Sequence, residues 1–274
     1  MIPCYLSLPD YFTTHTSNDL LDQRKTPFSY YKNSEGKTFY EVLKDNPAEH
    51  EIFNRGMKQQ EPFLPTLGMF PFSSIKEQVE AEKDRPFMVD VGGGRGHMLQ
   101  IIGKHTNGGY GAKLILQDRP EVIASVSNEE LPGIEKMSYD FFTPQPIQSM
   151  SSCTSSKLNL PAYVRSDAHI YYLRRIMHNY QDEVCIEILK NQAAAMGPTS
   201  RLLIGEVILP SHTKVAGEMT GYWKDVVMLV IGGKERSPED FAKILEVAGL
   251  QLVKVWPFET GEQAVVEARL KSTL

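Results

Sequence analysis

The chain has 274 residues, 41% of them hydrophobic and 23% charged, with a formal net charge of −5. Those are ordinary values for a globular protein with a sizeable core. They exclude a disordered or collagen-like chain, and the slight acidity with no long basic run argues against a nucleic-acid partner. No apolar run approaches the roughly 20 residues that span a bilayer, and Met1-Ile2-Pro3-Cys4 lacks the basic start of a signal peptide. The three cysteines, Cys4, Cys153 and Cys185, are scattered and odd in number. They form neither a disulfide framework nor a zinc motif, so no metal site is expected and a reducing cytosol is the expected location.

Residues 1–45 read as mixed, with turn signals and several aromatics. Asn46-Pro47 opens a helix in which Phe53 and Met57 share a face. A second helix is expected over 74–83. Pro86-Phe87-Met88-Val89-Asp90-Val91 then reads as a buried strand, followed by the turn Gly92-Gly93-Gly94-Arg95-Gly96 and a helix from about Met98. Further strands are expected at 113–117, closed by Asp118, and at 135–139, followed by Asp140 and Phe141. Residues 148–167 are rich in Ser, Thr and Gln and read as a surface insertion. The pattern resumes with a strand at 168–173, a helix at 181–196, a strand at 201–208 and a helix at 218–231. Ser237-Pro238-Glu239-Asp240 is a helix start, with a capping serine, proline in the first turn and acids behind it. Strands near 250–256 and 264–270 finish the chain as a hairpin-like pair. Strands alternating with helices imply an α/β fold with a mostly parallel sheet.

The stretch from strand 87–91 to Asp118 is a β-α-β unit with a glycine turn, the arrangement that lets backbone approach an adenosine-type ligand. The third glycine of the dinucleotide fingerprint is replaced by His97, and no phosphate-loop lysine follows. Asp-x-Gly-Gly-Gly-x-Gly suits S-adenosylmethionine better, because that cofactor has no pyrophosphate. The bare alternative is a tight turn without a ligand. Ligands in open α/β sheets sit at the carboxyl ends of the strands. Those ends carry Asp90, Asp118, Asp140, Phe141, Arg174, His178 and Glu206. Asp140 and Phe141 read either as an adenine site or as a helix cap and core residue. His178 has an ordinary pKa suited to accepting a proton near neutrality, and a carboxylate such as Glu206 would orient it.

The run Leu173-Arg174-Arg175-Ile176-Met177-His178-Asn179-Tyr180-Gln181-Asp182-Glu183 resembles the L-R/K-x-I-x-H-D-W-x-D-E motif of plant and fungal class II O-methyltransferases. Val89–Gly96, Leu116-Gln117-Asp118, Asp140-Phe141-Phe142, Gly205–Pro210 and Gly232-Gly233-Lys234-Glu235-Arg236 resemble its other motifs, in family order. The resemblance implies a Rossmann-like fold with a seven-stranded, mostly parallel sheet and an antiparallel last strand, behind a short helical extension. It divides the chain into a residual N-terminal linker segment, 1–72, and a cofactor-binding catalytic domain, 73–274. It implies His178 as general base flanked by Glu206 and Glu235, and S-adenosylmethionine against Gly92, Gly93, Gly94, Asp118, Asp140, Phe141 and Arg174. Phe53, Met57, Asp225 and Met228 are expected to line the pocket of a small hydroxylated acceptor, aromatic or polyketide-type; ordinary core packing is their alternative role. The usual Asp-Trp after the histidine is Asn179-Tyr180 here. The family's helical dimerisation domain is expected to be mostly missing, which weakens the homodimer that the resemblance implies. Two other readings stay open: a cofactor-binding enzyme that transfers no methyl, of the pericyclase or dehydratase kind, and a non-catalytic remnant.

Overall fold

A computed structural model describes residues 2–60, 65–148, 167–213, 217 and 219–271. Seven strands form one sheet: β1 Met88–Val91, β2 Leu114–Asp118, β3 Ile134–Ser138, β4 Ile170–Arg174, β5 Arg201–Val207, β6 Leu250–Pro257 and β7 Gln263–Leu270. Their order is β3-β2-β1-β4-β5-β7-β6. Strands β1 to β5 pair in parallel, while β7 runs antiparallel to both β5 and β6. This is the expected α/β sheet. The central strands are apolar throughout because helices cover both faces. The flanking helices are α7 His97–His105, α9 Asp182–Ala195 and α11 Pro238–Val247.

Alternation of side chains divides the core by face. Val89, Val91, Tyr171 and Leu173 pack with Ile188 and Leu189 of α9 and Phe241 and Ile244 of α11. Met88, Ile170 and Tyr172 point the other way and pack with Leu99 and Ile102 of α7 and with Phe70 and Phe72. Ser237 caps α11 as its sequence predicts, accepting from the Asp240 amide at 3.2 Å while the Asp240 carboxylate receives the Ser237 amide.

The first 45 residues hold more helix than their mixed pattern suggests: α1 Ile2–Leu6, α2 Leu8–Thr14, α3 Pro27–Tyr31 and α4 Phe39–Asp45. Local caps account for two of them. The Thr26 hydroxyl accepts from the Ser29 amide at the start of α3, and Thr38 and Glu41 form a reciprocal box at the start of α4. The long helix α5 spans Pro47–Gln60 and α10 spans Thr220–Val230. A third cluster joins these parts: Cys4, Phe28, Phe39, Val42 and Leu43 bury against Val230 and Ile231 at the end of α10. The short helices α6 Lys76–Ala81 and α8 Pro120–Ala124 complete the set. The expected insertion 148–167 lies outside the described residues except at its two ends.

Candidate functional site

Strand order reverses beside β1, whose neighbours β2 and β4 carry their crossovers to opposite sides. The crevice outside the carboxyl ends of these strands is where an open α/β sheet receives its ligand. A cavity of about 470 Å³ opens there, within the range usual for small-molecule and cofactor sites. Gly92, Asp118, Asp140 and Phe141 line it. The glycine turn is tied to β2 by hydrogen bonds from the Gly92 and Gly93 amides to the Gln117 carbonyl, at 2.8 and 3.1 Å. The Gly94 amide donates to Asp118 Oδ2 at 2.8 Å, so the acid that faces the cavity also sets the turn. Glycine is required at position 92: its φ is +69°, and a Cβ there would lie 2.8 Å from Ile176 Cδ1 and 3.6 Å from the Phe141 ring. That missing Cβ leaves the floor of the cavity open.

Phe141, Phe142 and Tyr180 meet edge to face, with ring centroids 4.9 to 6.1 Å apart. Phe141 and Tyr180 are partly buried against the core. They offer flat apolar surface beside the Asp118 and Asp140 carboxylates.

Beyond β4 the chain turns sharply. Arg175 adopts a left-handed backbone, φ +56°, and a single turn of 3₁₀-helix, Met177–Asn179, follows. This turn carries His178. Glu206, next to the end of β5, holds it from below: Oε1 accepts from the Met177 amide at 2.9 Å and more weakly from the His178 amide. Its other oxygen, Oε2, lies 2.9 Å from His178 Nδ1. Glu235 Oε1 is 3.9 Å from the same nitrogen. From above, the Lys234 amide donates to the His178 carbonyl at 2.8 Å. Arg236, fully buried, donates to the carbonyls of Met177 and Tyr180 and to Asp182. Gly233 passes so close to the His178 carbonyl that a side chain there would overlap it.

His178, Glu206 and Glu235 are all buried. Burial works against the charged imidazole, but Glu206 and then Glu235 outweigh it and raise the His178 pKa above its ordinary value. Burial likewise opposes the Glu206 carboxylate, and His178 with Arg175 and the turn amides overcomes it, so Glu206 stays ionised with a lowered pKa. Glu235 differs. Burial, reinforced by Glu206 and Asp225, pushes it up to about 7. The two glutamates therefore divide: Glu206 is the ionised partner of Nδ1, and Glu235 is a poorly solvated neighbour near its titration point. With Nδ1 facing Glu206, Nε2 is left without a protein partner among the described residues. The three ligand atoms lie within 4.8 Å of one another, a spacing that a cation also fits. The three residues lie 28 and 29 positions apart, so their spacing gives no metal motif, although the family resemblance groups them.

Other expected residues fall elsewhere. Arg174 donates to the Pro65 carbonyl at 3.1 Å, and it is Arg119 and Arg175, not Arg174, that line the cavity. Gly93 packs against Asp90 and Leu116. Burial pushes Asp90 up to about 7, with Arg174 opposing the rise. Phe53 and Met228 join the third cluster, Phe53 meeting Phe39 at 5.3 Å. Phe39 and Ile231 of that cluster reach the cavity wall. Asp225 Oδ1 accepts from the Glu235 amide at 2.8 Å, which makes it a support for Glu235. Only the helical backbone of Met57 is described. His178 itself is 7% exposed and does not line the cavity, although its chain neighbours Arg175, Ile176, Asn179 and Tyr180 do.

The sequence reading missed the wall contributed by the N-terminal part. Gln23, Thr38, Phe39, Tyr40 and Glu41 all line the cavity, and Gln23 Nε2 donates to the Asn179 carbonyl at 2.8 Å. No local pattern signals a contact across 156 positions.

The O-methyltransferase domain family matches residues 157–251. O-methyltransferase hmp5 of Hypomyces subiculosus is 46% identical over 269 residues, covering 97% of this chain and 62% of its own length. The chain is similar to fungal O-methyltransferases. Demethylsterigmatocystin 6-O-methyltransferase of Aspergillus flavus is 31% identical, with 99% of this chain and 64% of that protein covered. Among solved structures, OxaC in complex with sinefungin and meleagrin superposes with a TM-score of 0.80 at 29% identity, covering 98% of this chain and 63% of OxaC. A pericyclic reaction enzyme superposes with a TM-score of 0.81 at 26% identity, over 98% of this chain and 64% of the enzyme. The chain spans about three fifths of the length of the curated proteins it matches. Among its described residues no helix is long and apolar enough to cross a membrane.

Proposed function

We propose that this chain carries out S-adenosylmethionine-dependent methylation of a hydroxyl on a small aromatic or polyketide-type molecule, with residues 73–274 as the catalytic unit and 1–72 as a helical segment packed against it. The observation that carries the proposal is the buried His178–Glu206 pair at 2.9 Å, one turn from a cavity floored by a glycine loop. The cavity fits the cofactor. The open floor at Gly92 admits close approach, Asp118 offers an acceptor for a ribose diol, Asp140 offers one for an amino group, and the Phe141 and Tyr180 rings offer stacking surface. Gly93 and Gly94 set the turn, and Arg174 backs it beside Asp90.

When bound, S-adenosylmethionine supplies an electrophilic methyl group. The protein has three tasks. It holds the acceptor oxygen in line with that methyl, the main source of rate in such a displacement. Nε2 of His178 takes the hydroxyl proton, a contribution of about 10²–10⁴-fold. Glu206 fixes the Nδ1–H tautomer and stabilises the imidazolium that results. Glu235, supported by Asp225, adds negative potential as its carboxyl ionises. Phe39 and Ile231, backed by Phe53 and Met228, supply apolar surface toward the acceptor. The reading needs no metal, nucleic acid or membrane, and it places the reaction in the cytosol.

The fold likeness to a pericyclic reaction enzyme favours a second reading, in which the cofactor stays intact. Methyl-labelled S-adenosylmethionine and a panel of phenols, followed by mass spectrometry, separate the two. Label on the phenol together with S-adenosylhomocysteine, unaffected by a chelator and absent in His178→Ala, supports methyl transfer by His178. Consumption of a substrate with the label still on the cofactor supports the second reading. Loss of transfer on chelation, restored by a divalent cation, assigns the His178–Glu206–Glu235 cluster to a metal.

A further inference from the structure

We propose that Arg175 is an anion-receiving residue whose guanidinium takes a carboxylate or enolate oxygen from a ligand in the cavity beside His178. The inference rests on the cofactor-binding reading of that cavity. Its own support comes from four features of the residue.

Arg175 has φ +56°, a conformation that costs a residue with a Cβ about 1–2 kcal/mol. Two hydrogen bonds hold it there: its amide donates to the Gly205 carbonyl at 3.0 Å, and Asn179 Nδ2 donates to its carbonyl at 3.1 Å. Strain maintained in this way accompanies functional positions more often than incidental ones. The side chain that results lines the cavity, beside Tyr40, Asn179 and Tyr180.

Among the described residues the Arg175 guanidinium has no hydrogen bond and no ion pair. Four other arginines each hold a carboxylate. Arg85 holds Asp167, Arg236 holds Asp182, Arg95 holds Glu130 and Arg24 holds Glu41. Arg175 is half-buried, and burial lowers its pKa despite the attraction of Glu206 and Glu235. A half-buried cation with five donors and no acceptor is costly, and an oxyanion in the cavity relieves that cost by a charge-assisted pair.

The carboxylates acting on Arg175 are engaged with His178, and those that line the cavity have partners of their own: Glu41 holds Arg24, Asp118 takes the Gly94 amide and Asp140 the Phe142 amide. Glu206 gives one oxygen to the turn amides and the other to His178. Glu235 is directed to His178 and titrates near 7. The groups acting on Arg175 are Glu206, Arg174, Glu235 and Tyr40, and Arg174 is committed to the Pro65 carbonyl. The acceptor for Arg175 therefore comes with a ligand. An anionic oxygen reaches this place from two sources: the aminocarboxylate tail of the cofactor, or an acidic group next to the hydroxyl of the acceptor.

The test is calorimetry on the wild-type chain, on Arg175→Asn, whose side chain tolerates a left-handed backbone, and on Arg175→Lys. One arm compares S-adenosylhomocysteine with 5′-methylthioadenosine, which lacks the tail. The other compares 2,4-dihydroxybenzoate with its methyl ester, both with S-adenosylhomocysteine saturating. Removing a hydrogen-bonded charge pair is expected to cost about tenfold to a hundredfold in affinity. In one of the two arms the wild type should prefer the carboxylate by that factor. Arg175→Asn should abolish the preference, and Arg175→Lys should keep part of it. Thermal unfolding at the wild-type midpoint confirms that the variants fold. A wild type that binds S-adenosylhomocysteine yet shows no Arg175-dependent preference in either arm overturns the role of Arg175 and leaves the cofactor site standing. A wild type that takes up no S-adenosylhomocysteine overturns both.

Discussion

Replacing Glu206 by glutamine removes one charge and keeps the shape of the residue that grips the turn carrying His178. In the native chain Glu206 Oε2 stands 2.9 Å from His178 Nδ1. At an effective dielectric of about 20, two opposite charges at that separation attract by about 6 kcal/mol. Burial of both groups opposes this, and the attraction wins, since the His178 pKa is raised and the Glu206 pKa lowered. The base form of His178 is thus favoured only on the alkaline side of an ordinary histidine. In Glu206→Gln the raising influence is lost, burial dominates and the His178 pKa falls. The acid limb of kcat/KM should move to lower pH. The rate itself should drop about 10²–10³-fold, equivalent to about 3–4 kcal/mol, because the imidazolium formed in the transition state loses its counter-charge and its fixed tautomer. Affinity for S-adenosylhomocysteine should be unchanged within about twofold, since Glu206 is not in the cavity wall. The assay is a pH series of initial rates with labelled cofactor, alongside calorimetry. An acid limb that stays in place, or a rate within threefold of wild type, refutes the reasoning.

Three other substitutions probe separate parts of the account. Asp118→Ala removes both the cavity-facing acceptor and the tether on the Gly94 amide, so affinity for S-adenosylhomocysteine should fall about tenfold to a hundredfold; calorimetry showing wild-type affinity contradicts this placement. Gly233→Ala forces a methyl group against the His178 carbonyl, which is backbone and cannot turn aside. Its thermal midpoint should fall, with a loss of about 1–3 kcal/mol, and an unchanged midpoint contradicts the close approach. Glu235→Gln tests burial of the carboxyl. A folded pKa of about 7 against 4.5 for the ordinary group means that native Glu235 destabilises the fold as pH rises through that interval, by about 3 kcal/mol above it. The variant should therefore be more stable than wild type at pH 8 and nearly equal to it at pH 4. Equal denaturation midpoints at both pH values contradict the burial argument.

Much of the sheet was legible because its strands are short apolar runs bounded by turn residues, and their carboxyl ends carry the polar groups. Gly92, Asp118, Asp140 and Phe141 reach one cavity, and His178, Glu206 and Glu235 reach one cluster, as the motif order predicts. The unequal glutamates were not legible. Both are buried, and their difference comes from their partners: Glu206 stands 2.9 Å from Nδ1 and takes the Met177 amide, while Glu235 stands 3.9 Å away, which spacing along the chain does not encode. Arg175 escaped notice for a related reason. Arg174 and Arg175 are identical letters, and only the left-handed turn at 175 sends the second into the cavity. The helices of residues 2–45 were obscured because they are short and stabilised by caps and by the distant Val230 and Ile231. Isolated helices of that length are marginal, so their periodicity is weak.

The most direct measurement is a crystal structure of the chain with S-adenosylhomocysteine. The ribose diol should be within hydrogen-bond distance of Asp118, the adenine should lie beside Phe141 and Tyr180, and Nε2 of His178 should face the space next to the sulfur. A thioether sulfur far from His178, or a ligand bound away from the Gly92 turn, contradicts the account at its centre.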